Sequence, residues 1–174
     1  VAPGRPSAEL YDEAASLIKT QRPTLPMGQT GATASRILGE LPPEPVDAGL
    51  KQVVTKAEQL MELLTHPQTK IGPSGVAELP YEQVRAQMRD IGQLIRTRHA
   101  PGEMRQLYKG FIGDLEAEAG KQGVSADTAG LLRSAALAYR QEAAAMRIAD
   151  VVDSVTKGTQ PVDWQRLDRL LSTD

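Results

Sequence analysis

Apolar residues recur every three or four positions along most of this chain, the spacing of amphipathic helices. The longest such run, Pro80 to Val155, holds three helical patterns separated by short joints. Before it, Ser7 (with Glu9 nearby) predicts the N-cap of a first helix to about Thr20, with Leu10, Tyr11, Ala14, Leu17 and Ile18 on one stripe. Residues 21–33 read as an extended loop because Pro23, Pro26, Gly28 and Gly31 punctuate them, and Ser35–Leu41 as a short helix closed by Pro42-Pro43. Asp47 caps the next helix, whose Leu50, Val53, Val54, Ala57, Leu60, Met61 and Leu64 share a face, and Pro67 ends it.

Residues 66–79 form a second joint, and Pro80 suits a first helical turn, where its missing N–H costs nothing. The helix that follows carries Tyr81, Val84, Met88, Ile91, Leu94 and Ile95. Ala100-Pro101-Gly102 breaks the pattern, and Met104, Leu107, Tyr108, Phe111, Ile112 and Leu115 mark another helix that Gly120 and Gly123 end. Ser125 caps the longest, from Ala126 to about Thr156, with Leu131, Leu132, Ala135, Ala138 and Tyr139 on its core stripe. Asp163 then caps a short tail over 163–172 that holds Trp164, Leu167, Leu170 and Leu171.

Short joints favour antiparallel neighbours. The expected fold is therefore all-α: an antiparallel helical bundle of about five helices plus a short C-terminal helix, with Pro/Gly-rich joints. Residues 1–6 are a flexible lead to a single domain over 7–174. Within it lie N-terminal helices with an extended loop (7–65), a three-helix core (80–157) and the closing tail helix. Ile91 and Leu132 belong to the expected core.

Composition narrows the picture. At 174 residues with one Phe and one Trp, the core must be built from Leu, Ile, Val, Met and Ala, which suits close-packed helices. A net charge of −2 gives no field that would draw the chain to nucleic acid or an anionic membrane. The absence of cysteine excludes disulfides, thiolate metal sites and cysteine nucleophiles. No apolar run reaches the roughly 20 residues that span a bilayer. The first residues have no apolar signal core, and a start on Val1 fits a fragment, an internal domain or a processed chain.

No residue set predicts catalysis, a metal site or a cofactor. Asp114, Glu116 and Glu118 share a helix but lack the Glu-x-x-His partners of a di-metal bundle, and read as solvated surface. His66 and His99 sit at helix ends, where a cation suits the macrodipole. The Gly-containing loops at 28–31 and 72–75 are not followed by a Lys-Ser/Thr and are not phosphate cradles. Arg85, Arg89 and Arg96 lie in a narrow arc beside an apolar stripe, an interaction surface that could meet phosphates or an acidic partner. Glu82 borders the arc and no aromatic residues interleave to stack bases, so nucleic-acid contact is disfavoured. Gln at all three positions is expected to leave folding intact. The Trp164, Leu167, Leu171 stripe either docks on the body or anchors a neighbour, and Ala135, Ala136, Ala138 and Ala143 to Ala145 offer a close-packing face, within the chain or between copies.

Three further segments carry a resemblance: Tyr81-x-x-Val84-x-x-x-Met88-Arg89-x-Ile91-Gly92-x-x-Ile95-Arg96, Leu107-Tyr108-Lys109-Gly110-Phe111-Ile112-Gly113-Asp114-Leu115, and Leu132-Arg133-Ser134-Ala135-x-x-x-Tyr139-Arg140. With Leu10-Tyr11-Asp12-Glu13-Ala14-Ala15 and the Pro-rich stretch after it, their order resembles helical regions in large virion proteins of tailed bacteriophages, the internal or DNA-ejection kind. The resemblance implies a non-enzymatic structural module of the virion, packaged with the genome or set near the portal, with other protein subunits, its own copies or virion proteins, as partners. The alternative is an interaction domain of a bacterial adaptor or secreted effector, in the cytoplasm or elsewhere.

Overall fold

A computed structural model describes residues 5–20, 22–96, 100–121 and 125–156. The fold is all-α, with six helices and one small sheet among the described residues. In chain order these are α1 (Ser7–Lys19), β1 (Thr24–Pro26), α2 (Gly28–Glu40), α3 (Ala48–Thr65), β2 (Lys70–Ile71), β3 (Ala77–Pro80), α4 (Tyr81–Arg96), α5 (Gly102–Ala119) and α6 (Ala126–Thr156).

Helix α5 is the hub, packing on α2, α4, α1, α3, α6 and β1. Its Met104, Leu107, Phe111 and Leu115 are fully buried, as the helical spacing predicts. Ile91 on α4 and Leu132 on α6 are in the same core. Three tyrosines tie helices together: Tyr11 of α1 meets Tyr108 of α5 edge-on at 6.0 Å, and Tyr108 meets Tyr139 of α6 at 5.3 Å. The core is therefore not confined to the three helices of 80–157, because α1 packs chiefly on α6 and α2 chiefly on α5.

The region expected as a loop over 21–33 is corrected in two places. Thr24–Pro26 is a strand, because Pro23 and Pro26 hold the backbone extended. It pairs antiparallel with β3 in the order β1-β3-β2, placing Leu25 opposite Leu79, and so staples one joint to the other. The short helix expected at Ser35–Leu41 instead starts at Gly28. Gly31 is there for close approach, not as a breaker: a Cβ on it would stand 3.2 Å from Leu64 Cδ1 of α3. On the facing helix, a Cβ at Gly110 would stand 3.0 Å from Thr30 Cα, where a backbone atom cannot give way.

Helix starts are satisfied in two ways. Asp47 caps α3 by accepting the Leu50 N–H at 3.0 Å, and Ser125 Oγ accepts the Thr128 N–H at 3.4 Å near the start of α6, as the sequence predicts. α1 and α2 have no cap from their own N-cap side chains. The expected cap, Ser7, is already inside α1, and Pro6 is the N-cap residue. Glu142 of α6 accepts the Ser7 N–H at 3.0 Å and the Ser7 hydroxyl, so a distant carboxylate does the capping.

The tail expected over 163–172 lies outside the described residues, as do His99 and the lead residues before Arg5. Among the described residues no helix is long and apolar enough to cross a membrane.

Candidate functional site

Among the described residues, polar chemistry is found at the arginine strip of α4, at the buried carboxylates of α5, and in a cavity where α4, α5 and α6 meet the start of α1, among other places.

The strip divides. Arg85 binds Asp12 of α1 with two bonds, Nε to Oδ1 at 2.7 Å and Nη2 to Oδ2 at 2.9 Å, and Arg89 Nη2 lies 3.4 Å from both oxygens. These two arginines therefore hold α1 against α4 and are committed within the chain. Arg85 chiefly, by hydrogen bonding, holds the Asp12 carboxyl below the usual carboxylate range. The folded value is the lower one, so the pair's stabilisation is fully present above the unfolded value of about 3.9 and lost as pH falls through the folded value. Between about pH 5 and pH 2, the melting temperature of the intact chain should fall more than that of Asp12→Asn, which lacks the pair throughout. Arg85→Gln should cost about 1 kcal/mol in a denaturant titration, since a bidentate, half-buried pair exceeds an exposed one. Arg96→Gln should cost less than about 0.5 kcal/mol, as expected for an exposed side chain. Of the three arginines, Arg85 and Arg89 thus face Asp12 within the chain, whereas Arg96 is exposed at the end of α4.

The acids of α5 are not all on the surface. Glu116 is exposed, but Asp114 and Glu118 are only 5% and 3% exposed. The burial of Asp114 has its cause in helix α2. Asp114 accepts the Gln29 and Thr30 N–H groups, each at 2.9 Å, and the Thr30 hydroxyl at 2.6 Å. It closes the first turn of α2 just as Glu142 closes that of α1. Burial pushes the Asp114 carboxyl up, and the three hydrogen bonds oppose that. Glu118 sits 3.0 Å from Lys121 Nζ and 3.7 Å from Arg22 Nε, with their charges as compensation. His66 is exposed at the end of α3, and its Nδ1 accepts the Gln68 N–H at 3.1 Å. Among the described residues no three His, Asp or Glu side chains gather as a metal site would require.

The cavity has a volume of about 340 Å³. Gly92 and Ile95 of α4, Tyr108 of α5, and Tyr139, Ala143 and Ala145 of α6 line it, with Arg96 as its cation and Glu142 and Ser7 beside it. Of the arginine strip, only Arg96 reaches this place. Sequence reading missed the cavity because its walls come from four helices. Trp164, Leu167 and Leu171, named with the arginines as an interaction surface, lie outside the described residues.

Comparison with models of protein families, with characterised proteins and with solved structures finds no match to this chain.

Proposed function

We propose that this chain is a non-enzymatic assembly module in which α6 joins the helical body to a further protein subunit, a second copy of the chain first of all. The observation that carries the reading is the double-faced character of α6. Thr128, Leu132, Ala135 and Tyr139 are buried on one side. At about 100° per residue, Leu137, Ala144 and Ile148 fall within about 40° of one another on the opposite side. Leu137 there is 49% exposed. Exposed Arg133 and Gln141 flank this stripe and Ala144 and Ile148 are half-buried, while Leu137 at its centre is left uncovered by the described body.

Other features support the same reading. α6 has 31 residues and so spans about 46 Å, while the α1 helix it packs on has 13. Past Tyr139, none of the α6 side chains described is fully buried. A chain charge of −2 offers little repulsion between copies, and an isologous pair is the commonest oligomer. The setting comes from the resemblance to internal and DNA-ejection proteins of tailed bacteriophages, which would make this a structural module of the virion.

Native mass by light scattering tests the reading. Over a rising concentration series the intact chain should form a discrete oligomer. Leu137→Lys should remain a monomer with a melting temperature of the monomeric body that is unchanged within about 2 °C, because an exposed substitution costs within about 0.5 kcal/mol. Equal mass distributions for the two chains would remove α6 from the assembly.

A further inference from the structure

We infer that the cavity between α4, α5 and α6 binds a small organic anion: a monocarboxylate with an apolar body. Its walls are Gly92, Ile95, the Tyr108 and Tyr139 rings and two alanines, surfaces suited to hydrocarbon and not to a sugar or nucleotide. At about 30 Å³ for each water-sized group, 340 Å³ holds roughly ten non-hydrogen atoms.

At the cavity one buried polar group has no partner. The Tyr139 side chain, 8% exposed, has a buried hydroxyl that meets no hydrogen-bonding group among the described residues. Arg96 is the cation in the lining; its charge acts on Tyr108, and Glu142 acts on both rings in the opposite sense. Glu142, the one acid in the lining, already accepts two bonds from Ser7. Arg96 itself makes no ion pair among the described residues. A buried donor without an acceptor is costly, and a carboxylate placed between the Tyr139 hydroxyl and the Arg96 guanidinium supplies the missing acceptor and the balancing charge together. The apolar walls then select for the rest of the ligand.

Calorimetric titration of the intact chain with octanoate, octan-1-ol and octylamine tests this. Octanoate should bind saturably at one site, at least tenfold tighter than either analogue. Arg96→Gln should weaken octanoate at least tenfold, and Ala143→Phe, which fills the cavity from a partly exposed position, should abolish binding; Lys51→Gln, an exposed control on α3, should change nothing. Circular dichroism confirms that each variant is folded. The inference is overturned by non-saturable heats with octanoate, by octanol binding as tightly, or by folded Arg96→Gln and Ala143→Phe chains that keep the affinity of the intact protein.

Discussion

Ile91→Asp is expected to abolish the cooperative thermal transition and leave a chain without fixed tertiary packing. Ile91 is completely buried on α4 within the common core. The substitution removes about 1.5–3 kcal/mol of side-chain burial and adds an unpaired buried carboxylate at a cost of several more. Together these approach or exceed the roughly 5–15 kcal/mol that holds a domain folded. Ile91→Val, which only trims a methylene, should cost about 0.5–1.5 kcal/mol and stay cooperative. Circular dichroism melts of the two variants separate the alternatives. A cooperative Ile91→Asp chain with unchanged melting temperature would mean that α4 presents a different face to the core.

Asp114→Asn should be the most damaging of the conservative polar changes, at about 2–4 kcal/mol. The carboxylate accepts three hydrogen bonds with its two oxygens. An amide keeps one oxygen and turns an NH2 group towards donors, so the first turn of α2 loses its cap and gains a donor–donor clash. At roughly 2–4 °C per kcal/mol for a chain of this size, the melting temperature should fall by about 5–15 °C. Glu116→Gln on the same helix, at an exposed position, should shift it by no more than about 2 °C. Equal shifts for the two would show that Asp114 does not hold α2.

What could be read from the sequence and what could not divide along physical lines. Each long helix announced itself through its own apolar period, and Asp47 and Ser125 were legible because a local cap lies beside the turn it serves. The start of α2 was hidden because its cap, Asp114, is 84 residues away from Thr30, and the glycines that allow α2 to approach α3 and α5 look locally like breakers. Ser7 misled for the same reason, since Glu142 had taken its role. A signal for Asp114 and Glu118 did exist. At about 100° per residue both fall within about 20° of Leu107, in the middle of the core stripe of α5. An acid in that register is either buried and bonded or wrongly placed, and the period should have outweighed the residue type. Arg85, Arg89 and Arg96 read as one arc, but the partner of the first two, Asp12 on α1, could not be known before α1 and α4 were packed together. The cavity draws its lining from four helices and had no linear signature at all.

The claim on which the functional account depends is that the outward face of α6 meets another subunit. Because the chain has no cysteine, one introduced thiol reports a single place. Ala144→Cys, in the middle of the Leu137–Ile148 stripe, should form a covalent dimer under mild oxidation at a rate that rises with protein concentration, whereas Glu58→Cys, exposed on α3, should stay monomeric. Cross-linking at position 144 no faster than at position 58 would contradict the account.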